Sequence, residues 1–169
     1  MRLASLLGAF CWLALAAAQS GVCAEPSAVS TELIVAGEVR HELRLSPDDV
    51  RQLTKRRGLV EEGNYSGVRL VDLLAEAQIV DDAPHALRRT YVVAVATDGY
   101  PAVFSWGELF NTSIGHHVIV ATDRDGVPLR DGEGRFTLVS LADARSGPRH
   151  VKWLARIDVR RVPEGATRK

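Results

Sequence analysis

The chain has 169 residues, with 21 basic and 21 acidic side chains and a formal net charge of zero at pH 7. That balance excludes a general nucleic-acid binder, which needs a clear basic excess. Its most hydrophobic run is about 16 residues, short of the roughly 20 that a membrane-spanning helix needs, so no membrane span is expected.

Residues 1–24 read as a signal peptide, with Arg2 first, then an apolar run from Leu3 to Ala18 and a short polar passage ending Val22-Cys23-Ala24. Cleavage is expected between Ala24 and Glu25, with the bonds after Ala18 and Ser20 as fallbacks, which makes the protein periplasmic or secreted. Ser20, three residues before Cys23, is not apolar, so a lipid anchor is not expected, and no arginine pair marks a folded-export signal. Both cysteines, Cys11 and Cys23, fall in the segment to be removed. The remainder is then one domain, residues 25–162, followed by a flexible tail at 163–169, and it must be stable without disulfides.

Thr31 to Val39 and His41 to Leu45 predict two strands joined by a tight turn. Ser46-Pro47-Asp48-Asp49 is a helix start, with Ser46 as the cap and acids at the positive end of the dipole, and the helix runs to about Lys55 with Val50 and Leu53 inward. Gly63 to Gly67 is turn chemistry, and Val68 to Ala77 then carries Leu70, Leu73, Leu74 and Ala77 at helical spacing. Tyr91 to Thr97 predicts a buried strand, with a hairpin return through Asp98-Gly99 into Tyr100 to Phe104. Ser105 and Glu108 have capping-box spacing for a short third helix. His117 to Thr122 is a strand, Asp123 to Gly134 a long loop, and Phe136 to Leu141 a strand. Val151 to Val159 alternates strictly, which predicts a last strand with Lys152, Arg156 and Arg160 on its polar face. Strands outnumber helices without regular βαβ alternation, so the class is α+β, with mixed, mainly antiparallel sheets and two or three short helices to one side.

No metal centre is expected. His116 and His117 are adjacent at a strand start and point to opposite faces, and the Asp123-Arg124-Asp125-Gly126 loop has Val127 where a calcium loop needs a ligand. Asp98 and Tyr100 could present a carboxylate and a phenol at a cleft, although Asp-Gly is first of all hairpin chemistry. Arg149, His150 and Lys152 follow the Gly147-Pro148 break and bring anion-binding donors together beside Trp153. From the residues alone, an anion site and a basic strand start balanced by the acids of residues 123–133 both remain open. On the first reading Arg149 and Lys152 form one positive wall, which requires a turn or bulge between about Gly147 and Val151.

Three motifs in this order resemble the oxidoreductase molybdopterin-binding domain of the sulfite oxidase family: Tyr65-Ser66-Gly67-Val68-Arg69-Leu70, then Ala96-Thr97-Asp98-Gly99-Tyr100, then Gly126-Val127-Pro128-Leu129 leading to Arg149-His150-Val151-Lys152-Trp153-Leu154. The likeness spans roughly residues 32–160, and the last block is the most specific. It implies that family's mixed α+β fold, and cofactor contacts at Arg149, His150 and Lys152, with Asp98 and Tyr100 of the second motif beside them. The family's enzymes hold molybdenum with a cysteine thiolate, which no residue after position 24 supplies, and Arg69 stands where proline is usual. The expectation is therefore a non-catalytic binding or accessory module for a small anionic ligand or a periplasmic partner protein. No cofactor is expected, though molybdopterin is possible; the alternative is a molybdenum oxidoreductase without a cysteine ligand.

Overall fold

Alternation sets the first hairpin: β1 (Leu33–Gly37) and β2 (Leu43–Leu45) pair antiparallel with Leu33 opposite Leu45, and Leu33 and Val35 are fully buried. The computed structural model describes residues 29–145 and 147–165. The expected signal peptide at residues 1–24, with both cysteines, and the last four residues of the expected tail lie outside them. No described helix is long and apolar enough to cross a membrane.

Helix α1 (Pro47–Arg57) starts as its cap residues dictate. The Asp49 amide donates to Ser46 Oγ at 3.2 Å and the Ser46 amide to Asp49 Oδ2 at 2.9 Å, so each end satisfies an orphan amide of the other. The segment expected to be turn chemistry is instead a hairpin of β3 (Val60–Glu62) and β4 (Tyr65–Arg69), with only Gly63 and Asn64 in the turn. Gly63 supplies the positive φ, 62°. Gly67 is required for another reason: a Cβ there would lie 2.0 Å from the Val120 carbonyl oxygen of the neighbouring strand. Val68 and Arg69 thus belong to β4, and α2 (Leu70–Ala77) begins two residues later than periodicity alone predicts.

β5 (Thr90–Ala96) and β6 (Pro101–Ser105) form the expected hairpin, and α3 (Trp106–Asn111) follows with the Glu108 amide bonded to Ser105 Oγ at 3.0 Å. β7 (Val118–Arg124) turns through Asp125 and Gly126, both at positive φ (53° and 74°), into the short β8 (Val127–Pro128). That is primed-turn hairpin geometry, placed inside the stretch expected to be a loop. β9 (Thr137–Ser140) pairs with β7, and β10 (Leu154–Arg161) is the last strand.

Two five-stranded sheets result. The first has the order β2-β1-β10-β5-β6, antiparallel except for the parallel β1–β10 pair; in the second, β7 lies between β4 and the β8 and β9 segments, with β3 outside β4. α1 touches β2, β4 and β7, and α2 touches β1, β4 and β7. These helices therefore contact strands of both sheets, where an arrangement to one side was expected. Leu70, Leu73 and Leu74 of α2 join Val35, Phe104, Val118, Val120 and Ile157 in the main core. The opposite face of β7, with Ile119 and Ala121, builds a second cluster with Tyr65, Leu129 and Val139. Burial on both faces explains why residues 118–121 read as an unbroken apolar run.

The last strand departs from strict alternation. Trp153 adopts φ 49°, and the β10–β5 register shifts between Leu154 and Arg156. Val151, Leu154, Ile157 and Val159 are buried, while Trp153 and Ala155 are half-exposed. The Trp153 amide donates to the Glu133 carbonyl at 2.8 Å, and Gly134 packs so closely that a Cβ would lie 2.8 Å from Trp153 Cα. A tertiary contact thus forces the kink and moves the strand start from Val151 to Leu154.

Candidate functional site

The β5–β6 turn, residues 97–100, meets the segment 147–153 at two points. The Thr97 amide donates to the Trp153 carbonyl at 3.0 Å, and the Tyr100 hydroxyl donates to the Pro148 carbonyl at 2.8 Å. Between them lies a cleft of about 190 Å³ lined by Ala96, Asp98, Tyr100, Gly147, His150, Lys152 and Trp153. Four of the five residues singled out in the sequence, Asp98, Tyr100, His150 and Lys152, are thus brought together across a gap of about fifty residues of chain.

The turn that presents them is rigid. Asp98 Oδ1 accepts the Tyr100 amide at 2.9 Å, Ala96 and Tyr100 close the hairpin, and Gly99 takes φ 87°. On the facing side, Gly147–Arg149 forms one turn of 3-10 helix, and the His150 amide closes it onto the Gly147 carbonyl at 3.1 Å. Trp153 is pinned by its indole N–H, which donates to the Asp131 carbonyl at 2.8 Å. Among the described residues, Asp98 and Lys152 form no ion pair. Two polar atoms at this junction are buried without a partner, His150 Nε2 and Thr97 Oγ1.

The fifth residue, Arg149, is engaged elsewhere, which corrects the expectation that it shares a positive wall with Lys152. Its Nε donates to Asp143 at 2.7 Å, its Nη2 to the other oxygen of the same carboxylate, and its Nη1 to Glu108 Oε1 at 2.6 Å. The guanidinium also lies over the Phe104 ring, 4.6 Å from its centroid. The side chains of Arg149 and Asp143 are only 20% and 8% exposed, so this is a nearly buried ion cluster in which one guanidinium is held by two carboxylates.

Behind the cleft stands a second cluster that the motifs did not reveal. Tyr65 donates to Glu133 Oε1 at 2.6 Å, Arg124 donates to the same oxygen at 3.1 Å, and the Arg124 guanidinium sits 5.1 Å from the Tyr65 ring centroid. His150 meets the Tyr65 ring edge-on at 5.5 Å. Burial, reinforced by the hydrogen bond to Glu133, pushes the Tyr65 hydroxyl pKa up to about 12. Burial alone would raise Glu133, but the bond from Tyr65 and the charge of Arg124 outweigh it and hold that carboxyl below its ordinary range. His150 is held below 6.5, first by burial and then by the Lys152 charge, so it faces the cleft as a neutral ring near pH 7. The Gly63-Asn64 step between two short runs is the signal that would have put Tyr65 on a strand.

A larger hollow, about 470 Å³, lies between α1 and the β7–β8 hairpin and holds Arg51 and Arg135. Arg51 is already paired with Asp48 and Asp123, and Arg135 with Asp131. The smaller cleft is the better candidate because it gathers uncommitted groups of both signs. His117 pairs through Nδ1 with Glu62 at 2.7 Å, and among the described residues no three potential metal ligands cluster.

Residues 25–167 match the family model described as the oxidoreductase molybdopterin binding domain. The chain belongs to that family. It is 30% identical over 137 residues to the mitochondrial sulfite oxidase of Rattus norvegicus, and 28% identical over 133 residues to that of Macaca fascicularis. Each match takes in 78% of this chain and 24% of the relative, so the chain spans about a quarter of the sulfite oxidases it resembles. The crystal structure of the sulfane dehydrogenase SoxCD from Paracoccus pantotrophus superposes with a TM-score of 0.54 at 21% identity, over 76% of this chain and 37% of that one. That likeness shares the fold.

Proposed function

We propose that this chain is an exported, non-catalytic binding or accessory module that uses the molybdopterin-domain fold to hold a small anionic ligand in the cleft between Asp98 and Lys152. The observation that carries this reading is the convergence of Lys152, Tyr100 and His150 on one cleft, with the ammonium unpaired among the described residues. The unpartnered His150 Nε2 and Thr97 Oγ1 add buried polar capacity at the same junction.

The side chains present suit the anionic end of the family's cofactor and not its metal. Lys152 can donate to an oxyanion, whereas the described residues contain no thiolate, the soft ligand that suits molybdenum. The cleft, at about 190 Å³, is also smaller than the roughly 300 Å³ at which sites for larger organic ligands begin. The family match over residues 25–167 favours a second reading, a molybdenum-dependent oxidoreductase with a non-thiolate ligand.

Calorimetric titration of the purified protein with inorganic phosphate, at fixed ionic strength, tests the first reading. Saturable binding that Lys152→Gln abolishes, without change in the unliganded melting temperature, is the expected result. One molybdenum per chain in protein isolated from its native host, with pterin released on denaturation, would overturn it in favour of the second.

A further inference from the structure

The charges around the cleft do not favour every anion equally. Lys152 contributes one positive charge and Asp98 one negative charge to the lining. Arg149 adds no positive charge, because the two carboxylates of Asp143 and Glu108 outnumber its guanidinium and it does not line the cleft. His150 is neutral, and the Arg124–Glu133 pair behind it is internally matched. A dianion entering here would gain one ammonium and face one carboxylate. An ionised carboxylate only accepts hydrogen bonds, so the group opposite Asp98 must bring a proton.

Asp98 is held in place for that role. Its Oδ1 accepts the Tyr100 amide at 2.9 Å, which orients the carboxylate, and no other described side chain donates to it. The Thr97–Trp153 and Tyr100–Pro148 bonds stitch its turn to the segment that carries Lys152, which holds the two backbone segments together on either side of the cleft.

We infer that Asp98 is the specificity-determining residue of this cleft: it selects a small ligand whose single anionic group is accompanied by its own hydrogen-bond donor, and rejects fully ionised dianions. The inference rests on the anion-cleft reading above. The required chemistry can come from a protonated oxyanion, or from a carboxylate that bears an ammonium group.

Calorimetric titrations of the full chain at mildly acidic pH and constant ionic strength distinguish these cases. The probes are inorganic phosphate, which is then largely singly charged and bears O–H groups; sulfate, doubly charged with no proton; and glycine. Phosphate is expected to bind at least about tenfold more tightly than sulfate, since a site built around a donor-seeking group discriminates against ligands lacking the donor. Asp98→Asn keeps an oxygen for the Tyr100 amide, so the turn is preserved, but its NH₂ group can donate to sulfate. It is expected to remove most of the preference. Tighter binding of phosphate than of glycine assigns an oxyanion, and the reverse assigns an amino acid; either supports the inference when sulfate binds weakly. Equal binding of sulfate and phosphate by the wild type, or a preference that survives in Asp98→Asn, overturns the role of Asp98 and leaves the anion cleft standing. If neither phosphate, sulfate nor glycine binds either protein, the anion-cleft reading fails and this inference fails with it.

Discussion

Arg149 and Lys152 lie within one turn of chain, carry the same charge and stand beside the same cleft, yet they meet opposite surroundings. Arg149 is enclosed by Asp143 from the segment after β9, Glu108 from α3 and the ring of Phe104. Lys152 is exposed and has no carboxylate within salt-bridge reach among the described residues. Proximity in sequence therefore says little about the role of a basic residue. What matters is which carboxylates the fold delivers, and here one comes from six residues away and one from α3 to Arg149, and none to Lys152.

The sharpest way to break this comparison is Arg149→Ala set beside Lys152→Ala. Removing Arg149 strands the Asp143 and Glu108 carboxylates and is expected to cost about 3 kcal/mol, the low end for breaking a buried ion cluster. Lys152→Ala should stay within about 0.5 kcal/mol, as exposed substitutions do. Urea unfolding of both variants measures the difference, and equal losses would dissolve the distinction between clamp and cleft.

Tyr65→Phe sharpens it from behind. Glu133 keeps Arg124 but loses the phenol, and a loss of about 1–2 kcal/mol is expected for a hydrogen bond to a charged group in this setting. The same denaturation experiment reads it, together with anion titration, which should change less than in Lys152→Gln because Tyr65 does not line the cleft.

The smallest effect is a pH dependence. His150 is packed against Tyr65 and faces the charges of Lys152, Glu133 and Arg124. Its folded-state pKa is depressed below 6.5, so the unfolded chain binds its proton more readily. The corresponding stability is fully present above 6.5 and is lost as pH falls through the folded value. His150→Asn should flatten that part of the profile of unfolding midpoint against pH. In Lys152→Ala, the His150 ring proton signals should titrate closer to 6.5, because the Lys152 charge, the largest depressing influence after burial, is gone.

Local rules made much of the fold legible in advance. The Ser46 and Ser105 caps, the period of Leu70, Leu73 and Leu74, and the Asp98-Gly99 turn each act within a few residues, and each produced the expected element. Illegible features depend on partners far away in the chain. Tyr65 to Gly67 looked like a turn because their burial comes from β7, and the alternation of residues 151–159 gave no hint of a kink imposed by Glu133 and Gly134. For the candidate site, composition pointed to the right two turns. It could not show that Thr97 and Tyr100 tie them together, or that Glu108 would claim Arg149.

The position of β10 has a kinetic consequence. It follows the other nine strands in sequence but lies at the centre of the first sheet, parallel to β1 on one side and antiparallel to β5 on the other. Without residues 154–161, the β1–β2 and β5–β6 hairpins have no shared neighbour, and each would be marginal alone. The contact that joins them, Ile34 opposite Arg156, closes nearly all of the described residues into one loop. Loop-closure entropy must be overcome before that pairing contributes, so assembly of this sheet is slow and strongly cooperative, and it waits until the strand furthest along the chain is available.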